Sequence, residues 1–260
     1  MNCYPLLLGL TLLSAPAIHA QTIFDHTFDG NNSTDLNGTP EDYSGELWVD
    51  NGLHTDGTYR AQGSSVLPYD FGSGIYEITV SLDLSEAGST SSGLGAIYFT
   101  TSDPLTPSYV NQPSGEPYST FAIRGDSSFE FWAGLGTAGP NDGGTVHDYD
   151  PSFTDGSDAA QVGTLRLILD TTQAQWTATG FYAPETGSEF QVDLNAADSE
   201  SLVYTYATNP SNFTGVGLNY SNSQAHFEHF TMTIIPEPSS SALIFGSIAI
   251  LILGHRKVRS

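Results

Sequence analysis

IYEITVSLDL, Ile75 to Leu84, is the stretch on which the fold turns. Tyr76, Ile78, Val80, Leu82 and Leu84 fall on one side of an extended chain, and Glu77, Thr79, Ser81 and Asp83 on the other. An alternation of period two places successive side chains on opposite faces, which is the pattern of a half-buried antiparallel strand. Comparable runs follow: AIYFT (Ala96 to Thr100), TFAIR (Thr120 to Arg124), FEFWA (Phe129 to Ala133), TLRLILD (Thr164 to Asp170) and QWTATGFY (Gln175 to Tyr182). LVYTYA (Leu202 to Ala207), VGLNY (Val216 to Tyr220) and HFEHFTMTII (His226 to Ile235) complete the series. No long amphipathic helix is evident; the nearest candidate, QVDLNAADSE at 191–200, is short and polar.

Gly, Pro, Ser, Asn and Asp cluster between these runs, as in TSDPLTPSYVNQPSGEP and GLGTAGPNDGGTVHDYDPSFTDGSD. Such residues form turns and loops. About a dozen short strands joined in this way predict an all-β fold, one antiparallel β-sandwich or jelly roll. No change of composition marks a second domain within residues 21–235.

Charge narrows the partners. Every Asp and Glu except Glu237 lies in residues 21–235, against Arg60, Arg124 and Arg166 and no Lys there. Nucleic-acid binding works through Lys and Arg on phosphates, so no nucleic-acid partner is expected. The field suits neutral glycans, cations or basic partners. The one cysteine, Cys3, precedes this segment, so the body has no internal disulfide. About 215 residues suffice for a sizeable core without one.

Both ends read as export signals. MNCYPLLLGLTLLSAPAIHA has an apolar stretch from Leu6 to Leu13 and a break at Pro16. It is read as a signal peptide over 1–20, cut after Ala20, with a cut after Ala17 as the alternative. The last 25 residues hold the triplet Pro236-Glu237-Pro238, an apolar run from Ser239 to Gly254, and a basic tip of Arg256, Lys257 and Arg259. The 16-residue run would make a helix of about 24 Å, short against a hydrocarbon core of about 30 Å. Snorkelling flanks or a thin membrane could accommodate it as a transmembrane helix. Its basic tip would stay cytoplasmic.

Chemistry-bearing motifs in the body are weak. GLGTAG (Gly134 to Gly139) matches a dinucleotide glycine pattern, but Pro140, Asn141, Asp142, Gly143 and Gly144 break the helix that such a site needs. In HFEH, strict alternation would send His226 and His229 to opposite faces, so no metal site is expected there. Asp148, Asp150, Asp155 and Asp158 on one acidic loop are the calcium candidates, without EF-hand order. DGNNSTD (Asp29 to Asp35) is a weaker one. Neither a G-x-S-x-G elbow nor an H-E-x-x-H pair occurs. No E-x-D-x-x-E-like run occurs that would help deliver a close glycosidase pair on one strand face; a pair assembled from separate strands stays open, and no catalytic residue is assigned. Glu130, beside Trp132, is the least implausible acid. Trp48, Trp132 and Trp176 could stack on sugars, but a core role fits their apolar surroundings better.

The C-terminal triplet, apolar segment and basic tip, together with the N-terminal leader, resemble the PEP-CTERM sorting signal of Gram-negative bacteria. The resemblance covers residues 236–260. It implies an exosortase-type partner that recognises the signal, a transient stay in the inner membrane, and loss of the tail. It also implies a destination at the cell surface or in the extracellular matrix of organisms that make exopolysaccharide. LRLILDTTQAQWTATGFY (Leu165 to Tyr182), with a closing strand running into the triplet, is more loosely similar to concanavalin A-like or laminin-G-like sandwiches. That likeness implies fold more than activity. The expectation is a non-enzymatic surface or biofilm-matrix protein, with polysaccharide as candidate ligand and no assigned cofactor. The alternatives are a secreted carbohydrate-active enzyme on a lectin-like fold and a purely structural adhesive module.

Overall fold

The computed structural model describes residues 20–28, 36–52, 63–85, 94–100, 117–125, 129–135, 162–195, 201–206, 209–210, 213–221 and 226–236. Residues Gln21–Ile235 form one compact unit. The strands are β1 (Gln21–Thr27), β2 (Val49–Gly52), β3 (Gly63–Pro68), β4 (Ile75–Asp83), β5 (Leu94–Thr100), β6 (Pro117–Arg124) and β7 (Phe129–Leu135). They continue as β8 (Val162–Asp170), β9 (Thr177–Pro184), β10 (Phe190–Val192), β11 (Tyr204–Thr205), β12 (Gly215–Ser221) and β13 (His226–Ile235). Among the described residues no helix is long and apolar enough to cross a membrane.

These strands make two antiparallel sheets. One has the order β1-β13-β4-β8-β9-β10, with β11 also pairing with β9. The other has the order β2-β3-β12-β5-β6-β7. The sheets pack face to face, because the alternating apolar residues of both meet in one core. Ile78, Val80 and Leu82 of β4 and Leu165, Leu167 and Leu169 of β8 come from the first sheet. Ile97 and Phe99 of β5, Phe121 and Ile123 of β6, and Val216 and Leu218 of β12 come from the second. The Phe129 and Tyr182 rings join the two sheets at 5.2 Å, and Ser119 Oγ lies 2.8 Å from the Tyr206 hydroxyl across the same gap. Gly180 allows the approach: a Cβ there would lie 2.9 Å from Leu194 Cδ2 and 3.0 Å from Phe121 Cζ.

The all-β, antiparallel sandwich expected from the sequence is therefore observed, and β4 keeps its alternation at every position. Several details differ. The β1, β2, β3 and β10 segments were not anticipated as strands, and LVYTYA contributes only Tyr204–Thr205. QVDLNAADSE opens as a strand, not a helix, over the part described. A register shift between Phe227 and His229 breaks the alternation in β13. Phe227 and Phe230 both enter the core, so His226 and His229 both lie away from it, contrary to the strict two-residue reading.

Candidate functional site

Each sheet has an outer face, and the two faces differ in kind. On the β1-to-β10 sheet the cross-strand register forms the row Asp25, Thr231, Thr79, Arg166, Phe181 and Gln191. All six are partly exposed. This face is open and its polar groups pair with one another. The Thr79 and Thr231 hydroxyls bond each other, as do Ser81 and Thr164 at 2.9 Å. Arg166 sits at the centre. It donates to Glu189 through Nε and Nη2, at 2.8 and 2.5 Å, and to Glu77 through Nη1 at 3.1 Å. Its guanidinium lies 3.9 Å over the Phe181 ring. Hydrogen bonding to Arg166 holds the Glu189 carboxyl below its usual range, and that bond raises Arg166 in turn. Two carboxylates thus flank one cation, and both are engaged by it.

The β2-to-β7 sheet is enclosed on its outer side. The residues of β12 that alternate with core Val216, Leu218 and Tyr220 are Gly215, Gly217 and Asn219. Asn219 stands across from Ser64 of β3 and Ala96 of β5, and Ala96 from Ala122 of β6, itself opposite Glu130 of β7. In the neighbouring row Val66, Gly217, Tyr98 and Thr120 are successive partners. Val66, Leu94, Ala96, Tyr98 and Ala122 form an apolar cluster separate from the main core. Ser64, Thr120 and Asn219 have no solvent exposure.

That face holds polar atoms in an unusual state. Ser64 Oγ, Thr120 Oγ1 and both amide atoms of Asn219 are buried without a hydrogen-bond partner. Each such atom costs about 1–3 kcal/mol if left unmet. They lie above a floor of small residues, Gly217, Ala96 and Ala122. Gly217 cannot be anything larger, since a Cβ there would lie 2.0 Å from the Ser65 carbonyl oxygen. Arg124 Nε meets Glu130 Oε1 at 2.5 Å beside this floor, with Arg124 the more exposed of the two at 14%. The Trp48 indole nitrogen is buried without a partner too, among the rings of His26, Phe28 and Phe230.

The residues singled out from sequence fall as follows. Trp48 is fully buried and Trp176 packs against the core, so both serve packing. The Trp132 side chain lies outside what is described. Glu130 is buried and tied to Arg124. His229 Nε2 lies 2.7 Å from Asp25 Oδ1, in a two-residue contact between β13 and β1. The glycine pattern beyond Leu135, both acidic loops, the leader, Glu237, Pro238, the apolar tail, Arg256, Lys257 and Arg259 lie outside the described residues. Pro236 is described, partly buried, directly after β13. Sequence reasoning missed Ser64, Thr120 and Asn219. The signal for Asn219 was present in VGLNY, where a polar side chain alternates with three core residues.

No family model and no curated protein matches the sequence. Among solved structures the chain is similar to a lectin from Bauhinia forficata in complex with GalNAc, at 10% identity over 84% of this chain and 99% of that one, with TM-score 0.49. It is also similar to lectin I-B4 from Griffonia simplicifolia in its metal-free form, at 13% identity over 81% and 97%, TM-score 0.45. A third likeness is to the carbohydrate recognition domain of Emp46p in its potassium-bound form, at 14% identity over 78% and 96%, TM-score 0.40.

Proposed function

We propose that this chain is an exported, non-catalytic surface or matrix protein that binds polysaccharide, sorted through its Pro236-Glu237-Pro238 signal. The observation that carries the binding role is the set of buried, unpartnered hydrogen-bonding atoms on Ser64, Thr120 and Asn219. Sites for small polar ligands place a few fixed donors and acceptors on an otherwise apolar, preformed surface. Here Tyr98, Leu94 and Val66 supply the apolar part. The rival enzyme reading calls for a carboxylic acid free to move a proton. Glu130, Glu77 and Glu189 are each held by an arginine instead, which favours binding over hydrolysis.

The sorting half of the proposal rests on residues 236–260 and their resemblance to an exosortase-type signal. Two experiments test the two halves. A glycan array probed with the full chain should give bound glycans, while a reducing-sugar assay on them should give no release. Sugar release would replace the binding role with the enzyme. Changing Pro236, Glu237 and Pro238 together to Ala should leave an unprocessed, membrane-bound chain on cell fractionation; unchanged processing and location would remove the sorting role.

A further inference from the structure

Asn37-Gly38-Thr39 has the form Asn-x-Thr, the acceptor of N-linked sugars, which are added outside the cytoplasm. We infer that Asn37 is a glycosylation site, an inference that rests on the export just proposed. Asn-x-Ser or Asn-x-Thr, with x other than Pro, also begins at Asn31, Asn32, Asn212 and Asn219. The first, second and third of these lie outside the described residues, which leaves Asn37 and Asn219 to compare. Asn219 has no solvent exposure and belongs to β12, between β3 and β5. A sugar on its amide has no room once that sheet forms. Asn37 is exposed, at the second position of a tight turn. The Thr39 N–H donates to the Leu36 carbonyl at 2.8 Å, and Gly38 takes the positive φ of 76° that the third turn residue requires. Trp48 pins the turn: its carbonyl accepts from the Gly38 N–H at 2.8 Å, and its own N–H donates to the Thr39 carbonyl at 2.9 Å. Leu36 and Trp48 are buried, whereas Asn37, Gly38 and Pro40 stay exposed. A Cβ at Gly38 would meet no described atom within 4 Å, so there is open space next to Asn37.

The surroundings favour a hydrophilic cover. Tyr43 and Leu47, on the hairpin that follows the turn, are two of the three large hydrophobic side chains exposed among the described residues. Leu47 pairs with Pro40 across that hairpin. A bulky, solubilising glycan on the neighbouring turn would screen them from other chains. Asp35 precedes Asn37 by two residues, an acidic position that oligosaccharyltransferases of the bacterial type also read; Asn219 has Gly217 there. The co-substrate is a glycan joined through its C1 to a lipid diphosphate. A bond forms between Asn37 Nδ2 and C1, and the bond from C1 to the diphosphate oxygen breaks. The lipid diphosphate leaves with the electron pair, and the amide gives one proton to the transferase. Thr39 is half-buried once folded, so its hydroxyl is read before the sandwich closes.

The test is expression of the full chain in Gram-negative cells that carry a periplasmic N-oligosaccharyltransferase and its lipid-linked glycan. Cell fractionation locates the chain, and glycopeptide mass spectrometry reads each Asn. The exported chain should carry one glycan on Asn37 and none on Asn219. Asn37→Gln and Thr39→Ala should each abolish the mass increase at this site, and Thr39→Ser should keep it. An exported chain that is bare at Asn37 overturns the inference, as does a glycan on Asn219 or an unchanged mass increase in Thr39→Ala. In each of these cases the export reading survives. A chain confined to the cytoplasm removes export and the modification together.

Discussion

Glu41 Oε1 accepts a hydrogen bond from the backbone N–H of Asp25, on the free edge of the outermost strand β1. Its other oxygen accepts from the Ser44 backbone at 2.5 Å and hydroxyl at 2.6 Å, and Asp42 accepts from the Thr27 N–H at 2.9 Å. Unpaired edge strands invite pairing with other chains, so these carboxylates cover donors that would otherwise recruit a neighbour. Glu41 is almost wholly buried, and Glu41→Ala should cost about 1–3 kcal/mol and open the edge. A lower denaturation midpoint with increased light scattering is the expected outcome; Glu41→Gln, which keeps an acceptor, should lose less.

Buried tyrosines set an alkaline limit. Burial pushes the Tyr69 hydroxyl up to about 12, helped by Tyr76, and burial likewise raises Tyr182 and Tyr206 above the ordinary range. A raised folded-state value means the folded chain holds its proton longer than the unfolded one. The associated stability is therefore complete below about pH 10 and is lost as pH rises through the folded values. Urea midpoints measured from pH 8 to 12 should stay level at first and then fall beyond about 10. A flat profile to pH 12 would contradict this.

Arg166 and Glu189 make the opposite prediction at acid pH. The Glu189 value is depressed, so its contribution is present at neutral pH and disappears as pH falls through the folded value. The pair is partly solvated, and Arg166→Met should cost no more than about 1 kcal/mol. The sharper readout is a carbon-13 titration of Glu189, whose midpoint should rise toward the normal carboxylate range in the variant. An unmoved midpoint would show that Arg166 is not the cause.

Gly217→Ala addresses the contact between β3 and β12. The added methyl would meet the Ser65 carbonyl at 2.0 Å and Val66 Cα at 2.9 Å, both of them backbone atoms that cannot rotate away. Overpacking of this kind costs about 1–3 kcal/mol. Thermal unfolding of the variant should show that loss, whereas replacement at Gly38, with open space around it, would act only through its positive φ of 76°.

Strands with a strong two-residue rhythm were legible from the chain alone. The limits of β13 coincide with HFEHFTMTII, and β4 and β8 follow their apolar alternation. β2 and β3, by contrast, are VDNG and GSSVLP, whose composition suits a loop. They become strands because β12 offers β3 an open edge and β3 offers one to β2, a tertiary cause that no local pattern encodes. In β1, a register shift between Thr22 and Phe24 breaks the rhythm that would have announced it. The candidate site was half visible: alternation put Asn219 opposite the core side, where solvent is the ordinary expectation. That this side is enclosed, with Ser64 and Thr120 likewise unmet, depends on neighbours distant in sequence.

The place of β13 carries a consequence for timing. It is an interior strand, bonded to β1 on one side and β4 on the other, with Gln21 opposite Ile234. A chain made from its N-terminus presents β1 first and β13, its sheet partner among the described strands, last of the thirteen. The sandwich therefore cannot close until residues 226–235 have arrived, and long-range pairing of this kind is slow to form. Until then β1 and β4 each wait for the strand that joins them, and the first sheet stays in two pieces.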